Sequence, residues 1–389
     1  MSVNSMSFEQ AASLLNSIQN QVTGKTNLAP TDVSSFISVA QKTLSAGYDP
    51  VINAISQVVG RTIFSIRPYN RKFRNLMMDE QKWGGITRKL SIADKDWNDN
   101  EEFQLVDGQS IDMYTISAPN VLQMNFYGAM VYQRHYTIYK DQLDSAFRGP
   151  EEFGQFMTMV TQNCLDIIEQ THESISRLAI GNFITGKISA NNGVIHLLTE
   201  YNTETGLALT STTVYDPANF PAFVKWVYAR IEDLTNMMTQ RTGLYQIQVT
   251  GKTINRHSPL SMQKVYLFSK LLSEINARVK GDVFHDNYME LSDVEAVPYW
   301  QDPSDRMKVN IKPVVLQADG TLSSPQTAVE QNNILGVIFD EEAIGQTLIN
   351  TWTATTPLNA AGGYWNIYYH YTERYFNDFT EKGLVLLLD

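Results

Sequence analysis

The sequence predicts an α+β fold organised around one very long helix. Three observations lead there. Residues 151–185 carry apolar or small side chains at Phe153, Phe156, Val160, Cys164, Ile167, Thr171, Ile175 and Leu178, the three-and-four spacing of a single helical stripe. Strand-like patterns flank this stretch at 130–140 and 363–379. A further run of helix and strand patterns occupies 191–340 and reads as a second α/β unit.

The long helix has clear ends. Gly149-Pro150 precedes it, Glu151 and Glu152 favour the positive end of its dipole, and Gly186 stops it. At ~1.5 Å per residue, about 35 residues make a rod of roughly 50 Å. A rod of that length suits a subunit that is broad and flat.

Composition narrows the function classes. The 389 residues are enough for two or three structural units. A hydrophobic fraction of 43% supports a real core, while 18% charge leaves a surface rich in neutral polar groups. Tyrosine (19) and phenylalanine (17) are abundant, which suits large interfaces. The net charge of −11 lacks the basic balance that phosphate-backbone binding requires. An acidic surface repels DNA, which helps if DNA must slide past it. The single cysteine, Cys164, excludes an internal disulfide or thiolate metal cluster and is expected to be a small packing residue. No apolar run reaches the ~18 residues of a membrane span. The N-terminus shows no basic start followed by an apolar core, so no secretory signal is expected and the chain reads as cytosolic in origin.

In chain order, residues 1–50 hold two short amphipathic pieces, at Phe8–Ile18 and Val33–Leu44, the second started by Pro30-Thr31-Asp32. Neither has an obvious partner nearby. They read either as an arm that packs elsewhere, on a neighbouring subunit, or as a helical cap on their own domain. Residues 51–66 make a short apolar helix or turn. A charge-segregated stretch follows. Arg67, Arg71, Lys72, Arg74, Lys82, Arg88 and Lys89 face only Asp79 and Glu80, a net of +5. Asp94, Asp96, Asp99, Glu101, Glu102, Asp107 and Asp112 then face only Lys95, a net of −6. Ile86, Leu90 and Ile92 on one side and Leu122, Met124 and Phe126 on the other alternate as strands. Residues 67–126 are therefore a two-stranded arm with a basic root and an acidic outer part. A lone hairpin is marginal in water, so this one is expected to lie against another copy of the chain. The alternative is a solvated face.

A strand at 130–140 and a helical link at 141–148 lead into the long helix. Beyond it the expectations are a strand from Gly193, a polar loop over 199–217, and a helix along Phe220, Phe223, Val227, Ile231 and Leu234. A buried strand at 245–250 and a helix at 259–280 come next. Further strands are expected at 294–297, 309–315 and 335–339. Residues 363–379 hold eight aromatics, Tyr364, Trp365, Tyr368, Tyr369, Tyr371, Tyr375, Phe376 and Phe379, which need a broad partner surface. The long helix is the obvious one. Leu384–Leu388 closes the chain.

No catalytic constellation emerges. Thr250-Gly251-Lys252-Thr253 has Gln246 where a phosphate loop needs its first glycine. His135, His172, His196, His257, His285 and His370 form no spaced metal pair. His285-Asp286 reads as a polar turn, Ser258-Pro259 as a helix start, and Gly84-Gly85 and Gly362-Gly363 as turn glycines. No catalytic, metal or cofactor residue is assigned, and no cofactor is expected.

The order of parts has a known match. An N-terminal arm, a long charged hairpin, a strand, a very long helix, a second α/β unit and an aromatic final strand resemble the major capsid proteins of tailed bacteriophages, the Hong-Kong-97-type fold. The stretch Gly363-Tyr364-Trp365-Asn366-Ile367-Tyr368-Tyr369-His370 and the Pro259–Val279 segment look most like the phi-29-like small podovirus group. The resemblance implies an N-terminal arm at 1–50 and an extended loop at 67–126. It implies a peripheral domain at 51–66 and 127–190 with a spine helix at 151–185. An axial domain at 191–340 and a return to the peripheral domain over 341–389 complete the layout. Phi-29-like proteins carry an immunoglobulin-like domain after the final strand. This sequence shows none before Asp389, so decoration through it is not carried over.

The function implied is a shell subunit, not an enzyme. It would self-assemble into hexamers and pentamers around packaged double-stranded DNA, with a scaffolding protein and portal as partners and no membrane. It would be made in the host cytoplasm and end in the virion. The expected inter-subunit contacts are Arg67, Arg71, Lys72, Arg74, Arg88, Lys89, Asp94, Asp96, Asp99, Glu101 and Glu102. An encapsulin-type compartment uses the same fold and is the first alternative; a soluble α/β enzyme is the second.

Overall fold

The computed structural model describes residues 7–24, 30–59, 72–76, 86–95, 108, 114, 116, 118–127, 129–278, 294–323 and 327–389. Arg67, Arg71, Asp96, Asp99, Glu101, Glu102, Gly84-Gly85 and His285-Asp286 lie outside the described residues, as does the side chain of Cys164.

Three helices open the chain: α1 (Phe8–Thr23), α2 (Val33–Ser45) and α3 (Tyr48–Val59). The first two start with capping boxes. Ser7 pairs reciprocally with Gln10, and Asp32 with Ser35, which satisfies amide groups that a helix start leaves free. The hairpin strands β1 (Ile86–Ile92) and β2 (Val121–Tyr127) follow, then β3 (Met130–Tyr139) and α4 (Lys140–Ala146). The long helix α5 runs from Pro150 to Ser189, 40 residues, or roughly 60 Å. After it come β4 (Val194–His196), α6 (Leu197–Thr205), α7 (Phe220–Thr239), β5 (Gln263–Phe268), α8 (Ser269–Arg278) and β6 (Val294–Val297). Short strands β7 (Val309–Ile311), β8 (Val315–Leu316), β9 (Leu322–Ser323) and β10 (Val329–Gln331) lead to β11 (Ile334–Asp340), β12 (Ile344–Thr355), β13 (Tyr364–Asn377) and β14 (Gly383–Leu387).

Two sheets divide α5 between them. The first is antiparallel, in the order β12-β13-β3. Its aromatic central strand turns Trp365, Ile367 and Tyr369 inward, where they meet Phe153, Phe156, Met157 and Val160 of the N-terminal half of α5. Helices α1–α3 close this core with Leu15, Ile18, Phe36, Val51, Ile52 and Ile55. Tyr48 stacks on Trp365, and the indole N–H of Trp365 donates to Asp49 at 2.6 Å. Of the two readings of the N-terminal region, the helical cap is the one these contacts describe: the first three helices bury their apolar faces on their own chain.

The second sheet has five strands, β4-β14-β11-β5-β6. Helix packing on both faces explains why β11 and β14 read as continuous apolar runs rather than alternating ones. One face meets Ala179, Ile180, Phe183 and Ile184 from the C-terminal half of α5. The other face meets α6, α7 and α8 through Leu198, Phe223, Val227, Ile231, Leu234 and Leu271.

The helix continues past Gly186 because that glycine serves packing, not termination. A Cβ there would lie 2.5 Å from the Phe379 ring. Phe379 cannot move aside, since it stacks on the fully buried Phe183 with centroids 5.5 Å apart.

Three sequence expectations need correction. The expected helix at 259–280 is a short turn, then β5, then α8. A short apolar run such as Val265-Tyr266-Leu267-Phe268 has no period that separates a buried strand from a buried helix, and pairing with β11 and β6 decides it. The expected strand at 245–250 is absent. Tyr245 adopts φ 65°, and the Gln248 side chain takes the hydrogen bonds a partner strand would make, donating to Ile254 O at 2.8 Å and accepting from Ile254 N at 3.0 Å. The polar segment at 199–217 contains most of α6, anchored by Leu197, Leu198 and Tyr201. The closing strand β14 lies in the five-stranded sheet, whereas β12 and β13 lie in the three-stranded one.

Truncating Phe183 to alanine removes the ring that joins α5 to Phe379 and Phe339. The expected cost is about 3–5 kcal/mol, measured as a lowered urea midpoint of the unassembled subunit.

Candidate assembly interface

The hairpin is the surface feature that the sequence singled out, and its root is firmly held. Strands β1 and β2 pair antiparallel from Ile86↔Tyr127 to Ile92↔Val121. Alternation sends Leu122 and Met124 down onto the second core and turns Phe126 to the same side, where it stacks on Phe376 with ring centroids 4.5 Å apart. Adjacent Arg88 and Lys89 must then point to opposite faces.

Lys89 points inward. Its ammonium lies 2.5 Å from Glu381, 2.9 Å from Glu342 and 3.0 Å from Asp378. Burial works against its charge, but the carboxylates of Asp378 and Glu381 outweigh burial and hold Lys89 above the ordinary lysine range. Glu381 sits above the ordinary carboxylate range because burial exceeds the pull of Lys89 and Arg256. Arg256 approaches Glu381 at 3.2 Å and donates to Ser91 Oγ at 2.7 Å. The Asp378 oxygen facing Lys89 and the Arg256 Nε make no well-aligned hydrogen bond, so these two contacts are ionic rather than directional.

The far end of the strands is also tied down. Asp94 accepts from Arg241 at 2.5 Å and from Asn255 N at 2.6 Å, and its own N–H donates to Thr253 O. Lys252, from the tetrapeptide that mimicked a phosphate loop, donates to Val121 O at 2.7 Å. Gly251 has φ +75°, the turn geometry that lets this loop reach the hairpin. Lys252 is thus a brace for the hairpin.

The basic root is fixed to the middle of α5. Lys72 N donates to Glu173 at 3.2 Å and Phe73 N to Glu295 at 3.0 Å. Glu173 pairs with Arg177 at 2.6 Å, and the Arg177 guanidinium lies over the rings of Tyr299 and Phe73. Next to it, His172 contacts Glu373, which accepts from Gln346, which in turn accepts from Ser176.

The sequence-predicted contact residues therefore divide. Lys72 and Arg88 have exposed side chains. Lys89 and Asp94 pair with charged groups of their own subunit. Arg74 lies on a short 3-10 turn. Arg67, Arg71, Asp96, Asp99, Glu101 and Glu102 lie outside the described residues. Sequence reasoning missed the inward partners Arg241, Arg256, Glu342, Asp378 and Glu381. Strand alternation could have separated Lys89 from Arg88, but nothing local pointed to carboxylates some 290 residues away.

The outer face of the root carries an apolar stripe. Ile86, Leu90, Ile92 and Val121 are 54%, 63%, 66% and 41% exposed, with Arg88 among them. Among the described residues, no group of three His, Cys, Asp or Glu side chains could hold a metal ion, and no helix is long and apolar enough to cross a membrane.

An α+β chain in which one 40-residue helix is shared by two open sheets fits the Hong-Kong-97-type phage capsid fold. The chain belongs to the Phi29-like phage major capsid protein family, which it matches over residues 14–381. It is a structural protein that assembles with copies of itself into the icosahedral shell enclosing phage DNA in the virion. The capsid structure of Staphylococcus phage Andhra contains a chain 11% identical, with 85% of this chain and 87% of that one covered, at TM-score 0.55. A chain in the structure of the head fiber and inner core protein gp22 of native bacteriophage P68 is 10% identical, with the same coverage, also at TM-score 0.55. At these identities the likeness shows the fold alone. No curated protein matches the sequence.

Two predictions follow from the anchor. Lys89→Met leaves Asp378 and Glu381 without their main counter-charge, and is expected to destabilise the subunit by about 3–5 kcal/mol, read by urea denaturation. Early proteolytic cleavage of the hairpin would accompany it. The second concerns Lys187, which donates to Tyr245 O at 2.7 Å and to Asn192 Oδ1 at 3.2 Å and feels the charge of Asp378. Burial pushes the Lys187 amine from 10.5 down to about 7, with Asp378 opposing. Between those values the unfolded chain binds the extra proton, so this group's contribution to stability rises with pH, by up to about 1.4 kcal/mol per unit. Lys187→Met should flatten that rise between pH 7 and 10.5 relative to the parent; parallel curves would count against it.

Proposed function

We propose that the hairpin at 67–126 is the arm by which one shell subunit clasps the next. The observation that carries this reading is the apolar stripe of Ile86, Leu90, Ile92 and Val121 on a strand pair braced to its own subunit at both ends. Exposed β-sheet faces of this kind mark interaction surfaces. Burying Leu90, Ile86 and Ile92 would contribute about 1.5–3 kcal/mol each.

Charge sets which copy docks and in what register. The exposed Lys72 and Arg88, with Arg67, Arg71 and Arg74, would meet Asp96, Asp99, Glu101 and Glu102 of an adjacent copy. Such exposed pairs are worth about 0–1 kcal/mol each, so they serve partner choice more than cohesion. Lys89 and Asp94 leave the proposed docking set and become the anchor that holds the arm.

In this reading the cap, the sheet of β12, β13 and β3 and the N-terminal half of α5 form the peripheral domain. The five-stranded sheet with α6, α7 and α8 forms the axial domain, which gathers around the axes of hexamers and pentamers. A scaffolding protein and a portal are the expected assembly partners.

Reversing Arg71, Lys72 and Arg74 to Glu should abolish shells while leaving the circular dichroism and melting of the subunit unchanged. Leu90→Lys should do the same through the apolar stripe. Electron microscopy and sedimentation of the coexpressed protein read the outcome; normal shells from both variants would sink the proposal.

A further inference from the structure

The loop from α5 to β4 contains Asn192-Gly193, the one Asn-Gly dipeptide in the chain. Glycine is obligatory there. Gly193 has φ +71°, and a Cβ on it would lie 2.4 Å from Gly383 O. Its carbonyl accepts from Val385 N at 2.8 Å, which ties the loop to β14. Its own N–H has no acceptor among the described residues. An unhindered, unbonded glycine N–H directly after an asparagine is the nucleophile for intramolecular deamidation.

The electrophile, by contrast, is held from two sides. The half-buried Asn192 carboxamide accepts at Oδ1 from Lys187 Nζ at 3.2 Å and donates from Nδ2 to Gln246 O at 3.0 Å. Lys187 is fully buried and is itself fixed by donating to Tyr245 O at 2.7 Å. The end of α5 and the 245–246 segment thus grip the two ends of one amide. Turning the carboxamide carbon toward Gly193 N breaks both bonds in a site where unmet polar groups are costly.

We propose that Asn192 is a latent modification site: the clasp of Lys187 and Gln246 O blocks deamidation in the folded subunit, and opening of the α5–β4 loop releases it. Gly193 N forms a bond to Asn192 Cγ, the Cγ–Nδ2 bond breaks, and ammonia leaves with the proton that Gly193 N loses. Water then opens the cyclic imide at either carbonyl, giving aspartate or isoaspartate at this position. Only one product fits. Aspartate keeps the backbone and sets a carboxylate beside Lys187, whose amine burial otherwise brings down to about 7. Isoaspartate lengthens the backbone by a methylene next to Gly193, where Gly383 leaves no room. Opened subunits are thereby marked, and those that form isoaspartate cannot regain the packed turn. The site is separate from the hairpin and does not rest on the docking proposal.

Peptide mapping by mass spectrometry tests it, with the unassembled subunit held at mildly alkaline pH either folded or in guanidinium chloride. Deamidation of the parent at Asn192 is expected to be slower by roughly tenfold or more in the folded state, because reaction waits on local opening. Lys187→Met removes one side of the clasp and should speed the reaction severalfold in the folded subunit while leaving the unfolded rate unchanged. Asn192→Asp mimics the product. Its carboxylate should raise the Lys187 amine and so flatten the rise of stability between pH 7 and 10.5. A folded parent rate equal to or above the unfolded one, equal folded rates for parent and Lys187→Met, or a pH rise in Asn192→Asp as steep as the parent's overturns the proposal. The parent comparison needs no variant, so the test holds even where Lys187→Met does not fold.

Discussion

Helix α5 must satisfy two cores at once, and the rest of the subunit depends on that constraint. Its N-terminal half buries Phe153, Phe156 and Met157 under the three-stranded sheet and the N-terminal helices. Its C-terminal half buries Ile180, Phe183 and Ile184 under the five-stranded sheet. A helix gains most of its stability from such packing rather than from its own propensity. Neither half would be so well held alone, and the continuous backbone between them transmits position from one core to the other. At the changeover the buried face turns polar, with His172, Glu173, Ser176 and Arg177 each paired to a residue from another element or to one another. Buried polar groups of this kind are costly unless satisfied, and here they set the register between helix, sheet and the basic turn at 72–76.

The same logic explains the hairpin. A two-stranded hairpin is marginal in water unless something else holds it. Its root is therefore fastened by charge. Lys89 is drawn into a nest of three carboxylates, and Asp94 and Val121 are bound by Arg241 and Lys252. Breaking one partner of such a buried group costs more than the group adds when intact, so the root resists detachment. Lys89 and Arg88 share one strand and do opposite work. The inward residue fixes the arm, and the outward one stands among Ile86, Leu90 and Ile92 on the face available to a neighbour.

Charge is distributed with similar economy across the chain. Lys89, Arg177, Arg230, Arg241, Arg256 and Lys308 each meet a carboxylate of the same subunit, in a protein of net charge −11. Lys187 is fully buried, and burial pushes its amine down to about 7 against the opposing charge of Asp378.

By itself the sequence determined what periodicity and breakers encode. The long helix, the hairpin strands at 86–92 and 121–127, β3, α7 and the aromatic strand were legible because each repeats one period long enough to be recognised. Short elements were not. Val265–Phe268 has no period, so only its two sheet partners make it a strand. Residues 245–250 alternate well, yet Gln246 and Gln248 fold back on Ile254 and Arg256 and replace the sheet. Gly186 resembles a stop signal and is instead a gap filled by Phe379. The charge segregation of the hairpin was visible in the sequence, but the use of each charge was decided by tertiary structure. Which face of a strand is covered depends on residues hundreds of positions away, and no local pattern records them.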